Sequence, residues 1–276
     1  AIALDGYAVA GVVDRGKLQL VERASIDPTR RMGGNFLRLE GASKTGVTDR
    51  RDFAHVSLSH AIPASPGRFV GYGTANGKGL LAKTEISSDD FWLGRLSTTD
   101  VTAAVAVRPT RKEDRLRVWG IAALDENVVL IGDDGQAGFL EVFDSALKSK
   151  RRLRLSGSGS AVAAGQRRIV AASGSGSATL DVFDEKLNRH FSVGLSPGVD
   201  IRSVGVVGDV SLAAVSFSTS VLEIGTKAKE RLACGPKGGR ALVAFSADGR
   251  LIAAQRLLAD SDVTLDRFAV TADGRI

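Results

Sequence analysis

One stretch of the chain decides its fold: GFLEVFD, residues 138–144, recurs forty residues later as ATLDVFD, residues 178–184. A fixed period of this length indicates a repeat architecture. Within both copies apolar and polar residues alternate, so every second side chain points to one face, as in a β-strand. The repeat therefore informs us about architecture, while it says little about function.

Around these two copies, two hairpin patterns alternate along the chain. The first joins two short strands of small apolar residues through a tight turn, in residues 3–11, 123–132, 162–173 and 206–215. The second is a longer alternating hairpin, in residues 139–155, 179–195 and 242–257, with weaker copies at Trp92–Leu96 and Phe36–Leu39. Gly, Asn and Asp in the turns supply the positive φ that short hairpins need. The two patterns together predict four strands per unit, with units beginning near residues 1, 58, 117, 160 and 200.

Four antiparallel strands repeated in this way are typical of a β-propeller blade. A lone four-stranded sheet cannot bury both faces, whereas stacked blades cover one another. A β-sandwich has no reason to repeat its sequence, and a parallel β-helix would need shorter coils. We therefore predict one all-β domain over residues 1–276, a propeller of five blades, or six or seven if residues 12–68 contain another. Phe143, Phe183 and Phe245 should occupy equivalent buried positions in it.

The two ends of the chain predict how the ring closes. Residues 268–276, FAVTADGRI, repeat the hairpin pattern of residues 1–11, with Asp273-Gly274 matching Asp5-Gly6. Combining terminal strands in one sheet removes an open edge. We expect residues 264–274 to pair with the N-terminal unit. The alternative is that the chain is a piece of a longer propeller.

One family resemblance follows from residues 238–257, GGRALVAFSADGRLIAAQRL. This hairpin resembles the bacterial β-propeller repeat called the SBBP type, and VSFSTSVLEIG, residues 215–225, is similar to the link of that repeat. The resemblance implies a secreted or cell-surface bacterial propeller without assigned catalysis. It carries no functional residue over, because every matching residue has a structural role.

Charge and composition narrow the classes of partner. The chain has a net charge of +6, and its basic residues are concentrated in stretches such as KSKRRLR, residues 148–154. Arg151, Arg152 and Arg154 are candidate contacts to an acidic partner, although their alternation with apolar residues favours the solvated face of an outer strand. No aromatic stacking platform accompanies them, which argues against nucleic acid. No apolar run is long enough to predict a membrane span, and the single cysteine, Cys234, cannot form an intrachain disulfide.

Motifs that could carry chemistry are weak. No nucleophile elbow is present, and nothing local to His55, His60 or His190 supports a Ser-His-Asp set. GASKTG, residues 41–46, lacks the glycine before lysine that a phosphate loop requires. Ser88-Asp89-Asp90 and Asp133-Asp134-Gly135 are denser in carboxylate, but calcium needs about six to eight oxygen ligands. We predict no catalytic residue, no cofactor and no metal site.

The aromatic residues complete the sequence prediction. Trp92 aligns with Phe139 and is predicted to lie in the core, whereas Trp119 is a candidate partner contact, with a core position as the favoured interpretation. The leading function is a non-catalytic binding or scaffold propeller that contacts a protein partner in a bacterial surface or extracellular assembly. The alternatives are a propeller hydrolase or lyase acting in the central channel, and a carbohydrate-binding propeller, disfavoured by the few aromatic residues. The sequence indicates neither the partner's identity nor the oligomeric state.

Overall fold

The structure, a computed structural model, describes residues 2–4, 7–14, 17–24, 36–38, 55–65, 68–88, 90–97, 101–111, 114–174, 177–218, 221–225, 230–233 and 239–257. Within these ranges all regular secondary structure is β. The chain forms two compact units. The first comprises residues 1–116, 126–128 and 143–148, and the second comprises residues 117–125, 129–142 and 149–276.

The first unit contains two larger sheets and a small hairpin. One sheet has three antiparallel strands: β1 (Ile2–Leu4), β2 (Tyr7–Asp14) and β3 (Lys17–Ala24). The other sheet has six strands: β4 (Phe36–Arg38), β5 (His55–Ser57), β6 (His60–Ser65), β7 (Arg68–Asn76), β10 (Phe91–Ser97) and β11 (Val101–Val107). Four of them pair in the order β6-β7-β10-β11, and the pair β4-β5 joins the sheet through contacts of β5 with β7. The hairpin consists of β8 (Gly79–Leu81) and β9 (Thr84–Ile86).

Three further sheets each have four antiparallel strands in chain order. They are β12 (Arg117–Leu124), β13 (Asn127–Asp133), β14 (Gly138–Phe143) and β15 (Ser149–Arg154); β16 (Gly159–Gly165), β17 (Arg168–Gly174), β18 (Ser177–Asp184) and β19 (Arg189–Pro197); and β20 (Val199–Val207), β21 (Val210–Phe217), β24 (Gly239–Phe245) and β25 (Leu251–Leu257). A hairpin of β22 (Val221–Ile224) and β23 (Glu230–Ala233) extends the second of these sheets from β19. The predicted unit starts near 117, 160 and 200 are confirmed.

Local sequence explains the turns between these strands. Asp125, Gln166 and Arg167 have positive φ values of 51°, 47° and 63°, and Gly208 has 56°. These are the tight turns predicted between the first two strands of each unit. In the longer hairpins, the Asp144 and Asp184 carboxylates each accept two backbone N–H hydrogen bonds at 2.8–2.9 Å from the turn that follows.

The core of the second unit lies between its sheets. Phe183 and Ile169 pack in one cluster with Leu140 of β14, while Phe245 packs in another with Val170 of β17. The sheet β16-β19 is therefore covered on both faces. The first strands also meet in sequence order, since β12 contacts β16 and β16 contacts β20.

The outcome for the repeat alignment is clear. Phe143 and Phe245 end the third strands β14 and β24, and Phe183 is the last residue but one of the third strand β18. They are 3%, 1% and 0% exposed, as predicted. Trp92 is also fully buried, as predicted. The prediction for residues 264–274 lies outside the described residues, so blade number and closure stay predictions. The hairpins β8-β9 and β22-β23 were not predicted, because neither is part of the repeat.

Candidate functional site

Trp119 is the exposed aromatic side chain at the start of a repeat unit. Along β12, Arg117 and Trp119 are exposed, whereas Val118 and Ile121 are buried. Trp119 keeps 44% of its surface accessible, so the favoured interpretation as a core residue is wrong. Val118 and Trp119 lie on opposite faces of β12. Ile121 shares the face of Trp119 and is buried, so that face is covered farther along the strand but left open at Trp119.

The indole of Trp119 is held by a buried carboxylate. Its Nε1–H donates to Asp133 Oδ2 over 2.5 Å, and the Ser158 hydroxyl donates to the same oxygen over 3.0 Å. The Gly135 backbone N–H donates to Oδ1 over 3.3 Å. Asp133 is only 7% exposed. Sequence reasoning considered Asp133 for a metal, but its oxygens accept these hydrogen bonds instead.

The loop that carries Ser158 is fixed by close backbone contacts between glycines. Gly138 N–H donates to the Gly157 carbonyl over 2.9 Å, and Gly174 N–H donates to the Ser158 carbonyl over 2.9 Å. A Cβ on Gly157 would lie 2.8 Å from Gly174 Cα. The Gly/Ser composition thus lets neighbouring loops approach closely enough to place the Ser158 hydroxyl on Asp133.

Two of the three arginines predicted to contact an acidic partner, Arg151 and Arg152, bind other residues of this chain. Arg151 donates through Nη1 to the Lys186 carbonyl. Arg152 donates to Glu141 Oε2 through Nη2 at 2.5 Å and Nε at 3.0 Å, and its Cζ lies 4.3 Å from the Phe139 ring centroid.

For Arg152, with 25% of its side chain exposed, the solvated-face interpretation is wrong, because the guanidinium neutralises a buried acid. Arg154 is exposed. The structure does not bring the three arginines together with Trp119 in one described network of contacts.

Two buried acids on equivalent third strands were missed by sequence reasoning. Glu141 is 5% exposed and accepts from Ser149 Oγ at 2.6 Å as well as from Arg152. Asp181, forty residues later, is 1% exposed. The sequence shows directly that both copies of the repeat carry an acid at this position. The alternation of apolar and polar residues does not predict which side chains bind the two acids.

Asp181 has a poorer environment than Glu141. The same two positions of the following strand hold Arg189 and Ser192 in place of Ser149 and Arg152, so that serine and arginine are exchanged. Arg189 Nε lies 3.3 Å from Asp181 Oδ1, yet neither carboxylate oxygen accepts a hydrogen bond with good geometry. Burial raises the pKa of Asp181, and Ser192 and Arg189 offset this only in part.

The described residues offer little for metal or acid–base chemistry. No group of three or more His, Cys, Asp or Glu side chains within them could hold a metal ion. Asp90, the other predicted candidate, accepts from Ser87 N at 2.9 Å and pairs with Arg108 at 3.3 Å. Burial opposes ionisation of Asp90, but the hydrogen bonds from Arg108 and Ser87 outweigh it and lower its pKa.

Three of the first strands, β12, β16 and β20, are similarly poor in acids and histidines, whereas β6 of the second repeat unit begins with His60. β12, β16 and β20 contain one acidic residue, Asp200, and no histidine. Asp200 pairs with Arg202 at 3.1 Å. Ala161, Val162, Ala163 and Ala164 of β16 are half-buried and carry no functional group. In the part of the chain that the structure describes, no helix is long and apolar enough to cross a membrane.

Comparisons with known proteins leave the function open. No family model matches the chain, and no curated protein matches it. Among solved structures, the mitotic checkpoint complex gives a match of TM-score 0.42 at 11% identity, over 94% of this chain and 83% of that one. Hsv2 of Kluyvelomyces marxianus matches with TM-score 0.39 at 10% identity, over 74% and 66%. The computationally designed Ika4 protein matches with TM-score 0.37 at 13% identity, over 54% and 96%.

Proposed function

We propose that this chain is a closed five-bladed β-propeller that acts as a non-catalytic protein-binding scaffold in a bacterial surface or extracellular assembly. The four-stranded sheets and the successive contacts of β12, β16 and β20 support the ring. The secreted or cell-surface location rests on the resemblance to the SBBP-type repeat. The protein-binding role rests on the chain's own residues.

The observation that carries the proposal is the exposed and immobilised indole of Trp119. Tryptophan is enriched among the few residues that dominate protein–protein binding energies. A ring already held by Asp133, whose carboxylate is in turn held by Ser158, loses little conformational freedom on binding. Trp119 therefore combines a large contact area with a low ordering cost, which suits an interface anchor.

The shortage of acids and histidines in the first strands β12, β16 and β20 supports a binding role over catalysis. A hydrolase or lyase acting between the first strands would need a general acid, base or nucleophile there. The first strands β12, β16 and β20 offer mainly apolar residues, two serines and one ion-paired carboxylate, Asp200. The hydroxyl of Ser160 is engaged with the Ala172 carbonyl. His60 begins the first strand β6 of the second repeat unit and lies beside the Tyr72 ring. We therefore favour the scaffold over the enzyme alternative.

Affinity capture from the surface and secreted fractions of the source bacterium tests the proposal. The immobilised bait is the wild-type chain, Trp119→Ala, or the control Ile252→Ala, which removes another exposed apolar side chain, 55% accessible on β25. Quantitative mass spectrometry should find a partner held by wild type and control, and reduced at least about tenfold by Trp119→Ala. Equal recovery by all three baits, or turnover of an ester, glycoside or phosphate ester by the pure chain, would overturn it.

A further inference from the structure

We infer that the exposed indole of Trp119 binds a cationic side chain of the protein partner over its ring, and that an arginine guanidinium fits it best. This inference rests on the proposed function, because it specifies the partner's chemistry at the same surface. A cation over an indole face is attracted by the electron density of the ring, and the planar guanidinium also stacks on it.

The first support is the uncompensated charge of Asp133. Its three hydrogen-bond donors are the Trp119 indole, the Ser158 hydroxyl and the Gly135 backbone N–H, and all three are neutral. No ion pair to Asp133 occurs in the described part of the chain. A full negative charge thus lies 2.5 Å from the indole nitrogen without a cation to balance it.

The second support is the geometry that transmits this charge. Asp133 is 7% exposed, so a partner cannot reach its carboxylate easily, whereas Trp119 is 44% exposed. An N–H group that donates to a carboxylate gains electron density, and the ring face becomes more attractive to cations. The buried charge of Asp133 therefore makes the indole of Trp119 more attractive to a cation that approaches from the surface.

Other charges near the site do not cancel this preference. Partial burial opposes ionisation of Asp134, but hydrogen bonds from the Ala137 and Gln136 backbones and the charge of Arg154 outweigh it and lower its pKa. Arg154 therefore lies close enough to act on Asp134. Arg117 is exposed on the same strand and forms no cation–π contact with Trp119 in the described residues. Its charge is hydrated and screened by salt.

Two small probes separate charge from shape. N-acetyl-arginine amide is cationic, and N-acetyl-citrulline amide is a neutral group of nearly the same size and planarity. Each is titrated into ¹⁵N-labelled protein while the two tryptophan indole N–H signals are followed by NMR. The Trp119 signal is assigned as the one that Trp119→Phe lacks.

We expect arginine to shift the Trp119 signal with an affinity about two- to fivefold above that of citrulline. The signal of Trp92, which is fully buried, should not move. Asp133→Asn keeps an acceptor oxygen for the indole but removes the charge, and should abolish the preference for arginine. Ser158→Ala removes a neutral donor, keeps the charge, and should retain the preference.

Equal affinities for the two probes, a preference that survives Asp133→Asn, or no shift of the Trp119 signal would overturn the inference. These results are distinguishable from failure of the proposed function. If partner capture depends on Trp119 while arginine shows no advantage, the scaffold role stands and the cation preference falls. If arginine is preferred but capture ignores Trp119→Ala, the scaffold role falls.

Discussion

Replacement of the buried Asp181 by valine should stabilise the protein. The carboxylate is 1% exposed, and neither of its oxygens accepts a hydrogen bond with good geometry. The repeat itself supplies the replacement, because Val243 occupies the equivalent position of β24 and is fully buried. Arg189, which would lose its acidic neighbour, has 48% of its side chain exposed and stays solvated.

The magnitude follows from two contributions. An unsatisfied buried polar group costs about 1–3 kcal/mol. The ion pair with the half-exposed Arg189 offsets only about 0–1 kcal/mol of this cost. Since Arg189 keeps contact with water, we expect Asp181→Val to raise the free energy of unfolding by about 2 kcal/mol at pH 7.

The gain should depend on pH in a defined direction. The pKa of Asp181 is raised in the folded state, chiefly by burial, so the unfolded chain releases this proton first. Wild-type stability therefore falls as pH rises from the unfolded pKa of about 4 through the higher folded value. Valine does not titrate, so the advantage of the variant should be small at the acidic end and grow across this interval.

Urea unfolding at several pH values, followed by circular dichroism, measures this effect. The matched control is Glu141→Val, the same change at the equivalent position of β14. Glu141 accepts from both Ser149 and Arg152, so its removal breaks these hydrogen bonds and the ion pair and should destabilise the protein. The reasoning is refuted if Asp181→Val destabilises at pH 7, or if its effect does not change with pH.

Three further predictions concern turns and loops. Lys83→Gly should stabilise by about 1 kcal/mol in urea unfolding, because exposed Lys83 has φ of 68° in the β8-β9 turn; no gain would contradict this. Asp184→Ala should cost about 1–2 kcal/mol at pH 7 by loss of its backbone hydrogen bonds. Burial opposes ionisation of Asp184, but bonds from Asn188 and the turn lower its pKa, so this stability is present above the unfolded pKa and is lost as pH falls through the folded one; a cost that persists at the acidic end would oppose the assignment. Gly157→Ala should cost about 1–3 kcal/mol in thermal unfolding, since its Cβ would meet Gly174 Cα at 2.8 Å; an unchanged melting temperature would show that the loops separate easily.

The repeat made much of the fold predictable. A forty-residue period fixed which strands are equivalent, and alternation within the copies placed Phe143, Phe183 and Phe245 inside. These features depend on local pattern, which a sequence displays directly. The unit start predicted near residue 58 also lies close to the first residue of β6, His60.

The candidate site was less predictable for physical reasons. Strand alternation assigns Trp119 to one face of β12, but it does not tell whether a neighbouring element covers that face. The link from Trp119 to Asp133 and Ser158 joins three segments whose meeting depends on how loops pack. The sequence likewise shows that arginine and serine are exchanged beside Asp181. Only the structure shows that Arg189 then comes within 3.3 Å of the carboxylate without forming a well-aligned hydrogen bond.

Protection of sheet edges explains both the unpredicted hairpins and the basic run. β11, VTAAVAV, has no charged residue; the β8-β9 hairpin contacts it, and Thr84 Oγ1 donates to the Ala104 carbonyl over 2.7 Å. From Phe191 to its end, β19 has no charged residue, and β22 pairs with this part of the strand through Leu195 and Ile224. β15, SKRRLR, carries four basic residues, and no strand is added to its outer edge among the described residues. Because bare apolar edges invite pairing with other chains, a sheet needs either a covering element or charge. The basic run that suggested an acidic partner therefore has a structural role as the charged alternative to a hairpin, which leaves Trp119 as the stronger candidate for contact with a partner.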